Sequence, residues 1–169
     1  SKQNTQNPSE KMLVNLLRQG EQKTEAECNR LGIGLTIFRP SMIYGLGLDQ
    51  NISRLARFID RWGFAVVAGK AGGLRQPVRS IDLVDAVIKV LYLPTTPGCV
   101  YTLAGSEALS YRDMLKRIFT ALNKPTRIIG FPLPVYRFIL RLAAVTGRFA
   151  YTAEMANRMN SNLAYDNAP

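Results

Sequence analysis

The chain contains no histidine. A Ser-His-Asp triad, a His-ligated metal centre and imidazole acid–base chemistry are therefore excluded. Any proton transfer falls to Tyr, Lys, Asp, Glu or Cys. Cysteine is scarce: Cys28 and Cys99 form no disulfide framework and no metal-ligand spacing, and read as reduced cytosolic thiols. No apolar run approaches the roughly 20 residues that span a bilayer. Residues 1–9 are polar throughout, unlike a secretory leader. Acidic residues are few, 12 against 22 basic, so the net charge is +10. A positive field of that kind suits nucleotide-sugar diphosphates, nucleic acid and anionic lipid alike, so charge alone selects no partner.

What is present is the composition of a globular domain. The 169 residues are 47% apolar and 20% charged, and a domain of that length buries roughly 70% of its unfolded surface. The most informative stretch is Gly34 to Gly45, GLTIFRPSMIYG. A short run, apolar on both faces and β-rich, ends in Arg-Pro and a glycine-containing turn. Such a run reads as a parallel strand over 35–39, buried between helix layers and stopped by Pro40, which cannot donate to a ladder. The turn after it lies outside the strand's carboxyl end, where open α/β sheets bind ligands.

The rest alternates helices and short strands. Residues 1–8 read as disordered. A long helix follows from Ser9, with Leu13, Leu17, Gly20, Thr24, Cys28 and Leu31 as its inward stripe and Gly32 as its end. Asp49 or Asn51 caps a helix that runs to about Trp62 and stops at Gly63. On it Arg54, Arg57 and Arg61 recur at helical spacing, as a solvated face or an anion-attracting one. A strand over 64–67 follows, then glycines 69, 72 and 73. A helix over 81–91 points Leu83, Val84, Val87, Ile88 and Leu91 inward. A strand over 100–103 precedes a capping box, Ser110 to Asp113, that opens a helix over 111–122. A strand over 126–129, an apolar helix over 134–146 and a polar one over 152–160 complete the chain. Three or four short strands are too few to flank a strand buried on both faces. The inventory therefore reads as part of a larger α/β protein that lacks a sheet-forming segment before Ser1.

Three segments in this order resemble the extended and atypical short-chain dehydrogenases, the NAD-dependent epimerase/dehydratase family, in their C-terminal, substrate-side portion. They are Leu35 to Gly45, Gly72 to Ala86 (GGLRQPVRSIDLVDA) and Val100 to Ile118 (VYTLAGSEALSYRDMLKRI), about half the chain. The resemblance implies an α/β fold: the C-terminal part of a Rossmann-like doubly wound parallel sheet, plus a small, mostly helical substrate-binding subdomain. Residues 9–48 would supply the last helix–strand units of the sheet. Residues 49–169 would form the substrate-side subdomain, with a strand returning near 99–103.

The resemblance also assigns residues. Arg75 matches the arginine that holds the substrate diphosphate in many sugar-nucleotide members, a task suited to a guanidinium fork; otherwise it is an exposed surface arginine. Pro40 and Ser41 match the turn beside the nicotinamide, and are otherwise a plain strand end. Asn51 falls in a region that often touches substrate, with helix capping as its other role. Asp82 matches the acid at a helix start and reads more as a cap than as a catalyst. The family's Tyr-x-x-x-Lys pair is absent: Lys23 sits in a similar local context, but four residues before it stands Gln19. Met42 occupies the place of the family's asparagine after Arg-Pro. The glycine fingerprint for a dinucleotide is missing, and Gly69-x-x-Gly72-Gly73 does not replace it because it opens no helix. No metal site is expected.

The leading expectation is thus a fragment of an NAD- or NADP-dependent nucleotide-sugar epimerase, dehydratase or reductase. It supplies the pocket wall and the nicotinamide-side turn, and is inactive and without NAD affinity alone. Its expected partners are a nucleotide-sugar or other anionic small molecule, the missing N-terminal half of its own protein, and a second copy as homodimer, all in the cytoplasm. A non-catalytic Rossmann-fold binding or structural protein is the alternative. The third reading is a basic membrane-surface module built on Phe131 to Phe149. Nucleic acid is disfavoured, because the basic residues lack interleaved aromatics.

Overall fold

The computed structural model describes residues 8–93, 95–136, 138 and 153–163. Helix α1 (Pro8–Leu31) leads into β1 (Ile37–Pro40) and β2 (Ile43–Tyr44). Then come α2 (Ile52–Trp62), β3 (Ala65–Ala68), β4 (Leu74–Arg75), β5 (Val78–Arg79) and α3 (Ser80–Leu91). The chain continues through β6 (Val100–Leu103), β7 (Leu109–Ser110), α4 (Tyr111–Ala121) and β8 (Ile128–Phe131), and a last described helix spans Ala153–Asn160. Residues 133–136 are helical, while most of the apolar helix expected over 134–146 lies outside the described residues.

Among the described residues three of the four strand pairs are parallel: β1 with β6, β2 with β5 and β3 with β8. The fourth, β4 with β7, is antiparallel. Parallel neighbours separated by helices are the signature of an α/β fold. The strand at 100–103 returns to lie beside β1 in the register Ile37–Val100 to Pro40–Leu103. Pro40 is therefore the last residue of β1 rather than the residue beyond it, and the ladder is continued by Ser41, whose amide donates to the Leu103 carbonyl at 2.8 Å. Arg39 points back to α1 and pairs with Glu21 at 2.5 Å.

The core lies in one half of the molecule. Helix α4 places Tyr111, Met114, Leu115, Ile118 and Phe119 on one stripe, and all five are buried. They meet Ile59 of α2, Ala65, Val67 and Ala68 of β3, and Ala156 and Met159 of the last helix. That helix is accordingly amphipathic and not simply polar. Ser110 caps α4 as the sequence indicates, accepting from the Asp113 amide at 3.0 Å while its hydroxyl donates to Asp113 Oδ2 at 2.6 Å. Gly63 ends α2 at φ 71°, a left-handed cap that strains a residue with a Cβ.

Two expected inward faces are not covered. On α1, Leu13, Leu17 and Leu31 are exposed, and on α3 so are Val84, Val87, Ile88 and Leu91. The helical periodicity is as read, but no described element packs over these faces. β1 likewise has β6 on one edge and no described strand on the other.

Candidate functional site

Helix α2 starts beside the turn that follows β2, and its capping separates two side chains that the sequence left as alternatives. Asp49 Oδ1 accepts from the amides of Asn51 and Ser53, both at 3.0 Å, and Asp49 Oδ2 accepts from the Ser53 hydroxyl. Burial alone would raise the Asp49 pKa. The hydrogen bonds from Ser53 and from backbone amides outweigh it, and the carboxyl lies below its usual range. Asn51 stands at the N-cap position but makes no side-chain cap bond. It is exposed and lines a cavity of about 210 Å³.

Three arginines line that cavity. Arg54 comes from α2, Arg75 from β4 and Arg158 from the last helix, with Tyr111 of α4 and Met42 among the other lining residues. Arg75 is 3% exposed, which corrects the surface-arginine alternative. Its Nη1 donates to the Leu74 carbonyl at 2.6 Å and the Ser161 carbonyl at 2.7 Å, and its Nη2 donates to the Arg158 carbonyl. The guanidinium also lies 5.7 Å from the centre of the Tyr111 ring. Carbonyl dipoles at a helix's C-terminal end suit a cation, but they carry no net charge. No described carboxylate lies within ion-pair distance of Arg75. Burial pulls its pKa below the usual range; Tyr111 opposes this and Arg158 adds to it by repulsion. A buried cation with a second cation beside it and no described carboxylate on it is a costly arrangement that a bound anion relieves.

The arginine stripe of α2 does not act as one face. Arg54 lines the cavity, Arg57 donates to the Gly47 carbonyl at 2.8 Å, and Arg61 lies 5.5 Å from the Trp62 ring centre. Asp82 is not a backbone cap. It pairs with Arg79 at 2.7 Å, and that hydrogen bond lowers its pKa. Lys23 is exposed on α1. Pro40 and Ser41 do not line the cavity, though Met42 does. Ser41 Oγ donates to the Gln76 carbonyl at 2.5 Å, fixing the end of β1 against the residue that follows Arg75.

The glycine run does not cradle a dinucleotide. A Cβ on Gly73 would meet the Ser161 carbonyl oxygen at 2.5 Å, so glycine there admits the close approach of the last described segment. In the described residues that space at Gly73 is filled by the chain's own backbone. Among them no group of three His, Cys, Asp or Glu could hold a metal, and no helix is long and apolar enough to cross a membrane. Sequence reading missed Arg54 as distinct from its stripe, and it missed Arg158 and Tyr111. The only signal for Arg158 was the glycine run that lets its segment dock.

No protein-family profile matches the chain. It is 23% identical over 154 residues to UDP-glucose 4-epimerase of Vibrio cholerae, covering 87% of this chain and 44% of that protein. It is 30% identical over 83 residues to mitochondrial NADH dehydrogenase [ubiquinone] 1 alpha subcomplex subunit 9 of Dictyostelium discoideum, covering 49% and 23%. Among solved structures, UDP-glucuronic acid 4-epimerase of Bacillus cereus, in complex with UDP-glucuronic acid and NAD, superposes with a TM-score of 0.57. The identity is 18%, over 67% of this chain and 37% of that one. The chain has the fold of the C-terminal part of the NAD-dependent epimerases and dehydratases. It spans less than half the length of the curated epimerase relative.

Proposed function

We propose that this chain is the substrate-side part of an NAD- or NADP-dependent protein acting on a nucleoside-diphosphate sugar. The cavity at Arg75 receives the diphosphate. The buried guanidinium of Arg75, without a described counter-ion, carries this reading. Arg54 and Arg158 add positive charge from two further directions, and Asn51 offers an amide to the same space. A diphosphate spreads its charge over several oxygens, which three guanidinium groups from three elements can share. Pro40 and Ser41, at the carboxyl end of β1, form the nicotinamide-side turn. The dinucleotide's own phosphate cradle belongs to the N-terminal half of the parent protein, which also covers the apolar faces of α1 and α3.

A second reading keeps the ligand site but not the chemistry. Gln19 stands where the tyrosine of the catalytic pair would precede Lys23. The match to an NADH dehydrogenase [ubiquinone] 1 alpha subcomplex subunit is compatible with a binding or structural role. Both readings place the anion at Arg75.

Calorimetric titration of the chain with UDP and with UMP tests the shared claim. UDP is expected to bind at least about tenfold more tightly than UMP, and Arg75→Met to abolish the difference. Equal affinities, or a difference that survives in Arg75→Met, would sink the assignment. NADH alone is expected to show no binding tighter than about 100 μM, roughly −5.5 kcal/mol.

A further inference from the structure

The segment from Arg158 to Leu163 is tied to the β3–β4 region by bonds that cross more than eighty residues of sequence. Asn160 Oδ1 accepts from the Ala71 amide at 3.1 Å, and its Nδ2 donates to the Ala68 carbonyl at 2.8 Å. Asn162 Oδ1 accepts from the Leu74 amide at 3.1 Å. The Gly73 amide donates to the Met159 carbonyl at 3.0 Å, and the Leu163 amide to the Leu74 carbonyl at 2.9 Å. Arg75 completes the seam by capping the carbonyls of Ser161 and Arg158.

Resting on the anion site proposed above, we infer that Asn160 is a positioning residue. It docks the Arg158–Leu163 segment as a wall of the cavity, so that anion binding and docking of this segment strengthen each other. Three observations give the sign of that coupling. Docking brings Arg158, Met159 and Leu163 to the cavity, so an undocked segment leaves it without one of its arginines and one wall. Docking also sets Arg158 near Arg75, and the two repel. An anion between them turns that repulsion into shared attraction. Finally, three of the five N–H donors of Arg75 are spent on carbonyls, two of them in the segment itself. The remaining two, Nε–H and one Nη2–H, have no partner among the described residues. The same side chain can thus hold the segment and an anion at once, which makes the two events cooperative rather than competing. The linkage is reciprocal: whatever the anion gains from the docked segment, the segment gains from the anion.

The amides of Ala71, Gly73 and Leu74 report docking directly, because each donates to the segment. The amides of Tyr111 and Arg112 donate to the carbonyls of Gly73 and Ala71 and report the neighbouring fold without it. Residue-resolved hydrogen exchange of the chain, with and without inorganic pyrophosphate, is the test. Pyrophosphate is expected to slow exchange at Ala71, Gly73 and Leu74 by about fivefold or more, and to leave Tyr111 and Arg112 unchanged. Asn160→Ala is expected to weaken pyrophosphate binding by a similar factor and to remove the selective protection. Pyrophosphate that binds without protecting the three amides overturns the coupling and leaves the anion site standing. Protection spread equally over Tyr111 and Arg112 also overturns it, as plain global stabilisation. No binding of pyrophosphate overturns both.

Discussion

Helices α1 and α4 carry the same kind of apolar stripe and meet opposite fates. On α4, Phe119 is 0% exposed and its stripe forms the core; on α1, Leu17 is 59% exposed. None of the buried hydrophobic residues among those described comes from α1, β1, α3 or β6. The difference lies in partners rather than in propensity. α4 is faced by α2, β3 and the last helix, all supplied by this chain, whereas no described element covers the apolar faces of α1 and α3. Amphipathic periodicity reports the partner a helix is built for, not whether that partner is present.

Paired substitutions sharpen this contrast most. Phe119→Ala is expected to cost about 3–5 kcal/mol, since it empties a packed site, while Leu17→Ala stays within about 0.5 kcal/mol in the chain alone. Comparable losses at the two sites in denaturant titrations would erase the distinction. The core lobe also depends on its caps. Ser110→Ala is expected to lower stability by about 1 kcal/mol, as the Asp113 amide loses its acceptor.

Acid acts on the same lobe through Asp49. Its folded pKa is lowered, so its contribution is full above the ordinary aspartate range, near 3.9, and is lost as pH falls through the folded value. The start of α2 is therefore expected to loosen below about pH 4, and Asp49→Asn to flatten that part of the stability profile. An unchanged profile in the variant would remove Asp49 from the account. At the small end, the Arg30–Glu27 pair on α1 is exposed on both sides. Glu27→Gln is expected to leave Tm unchanged within error, as surface pairs do.

Much of the lobe was legible because local signals agreed with tertiary packing. The Ser110 cap, the helix that it opens and the Gly63 stop each act within one helix and its nearest neighbours. Strands β2, β4, β5 and β7 have two residues each, too few to show a period. The site was legible in part. Arg75 and Asn51 do line one cavity, yet the reason Asn51 is available is that Asp49 takes the capping role. Arg158, Asn160 and Asn162 look in the sequence like an ordinary polar helix end. Their partners are backbone groups more than eighty residues away, and nothing local encodes them except the closeness that Gly73 permits.

Residue-resolved native-state hydrogen exchange of the whole chain tests the central claim most directly, because it measures the stability of each region separately. Amides in α4 and β3 are expected to exchange only through global unfolding, and those of α1 and α3 to exchange far faster, through local opening. Equal protection across α1, α3 and α4 would contradict the division into a lobe with its own core and a half whose apolar helix faces no described element covers.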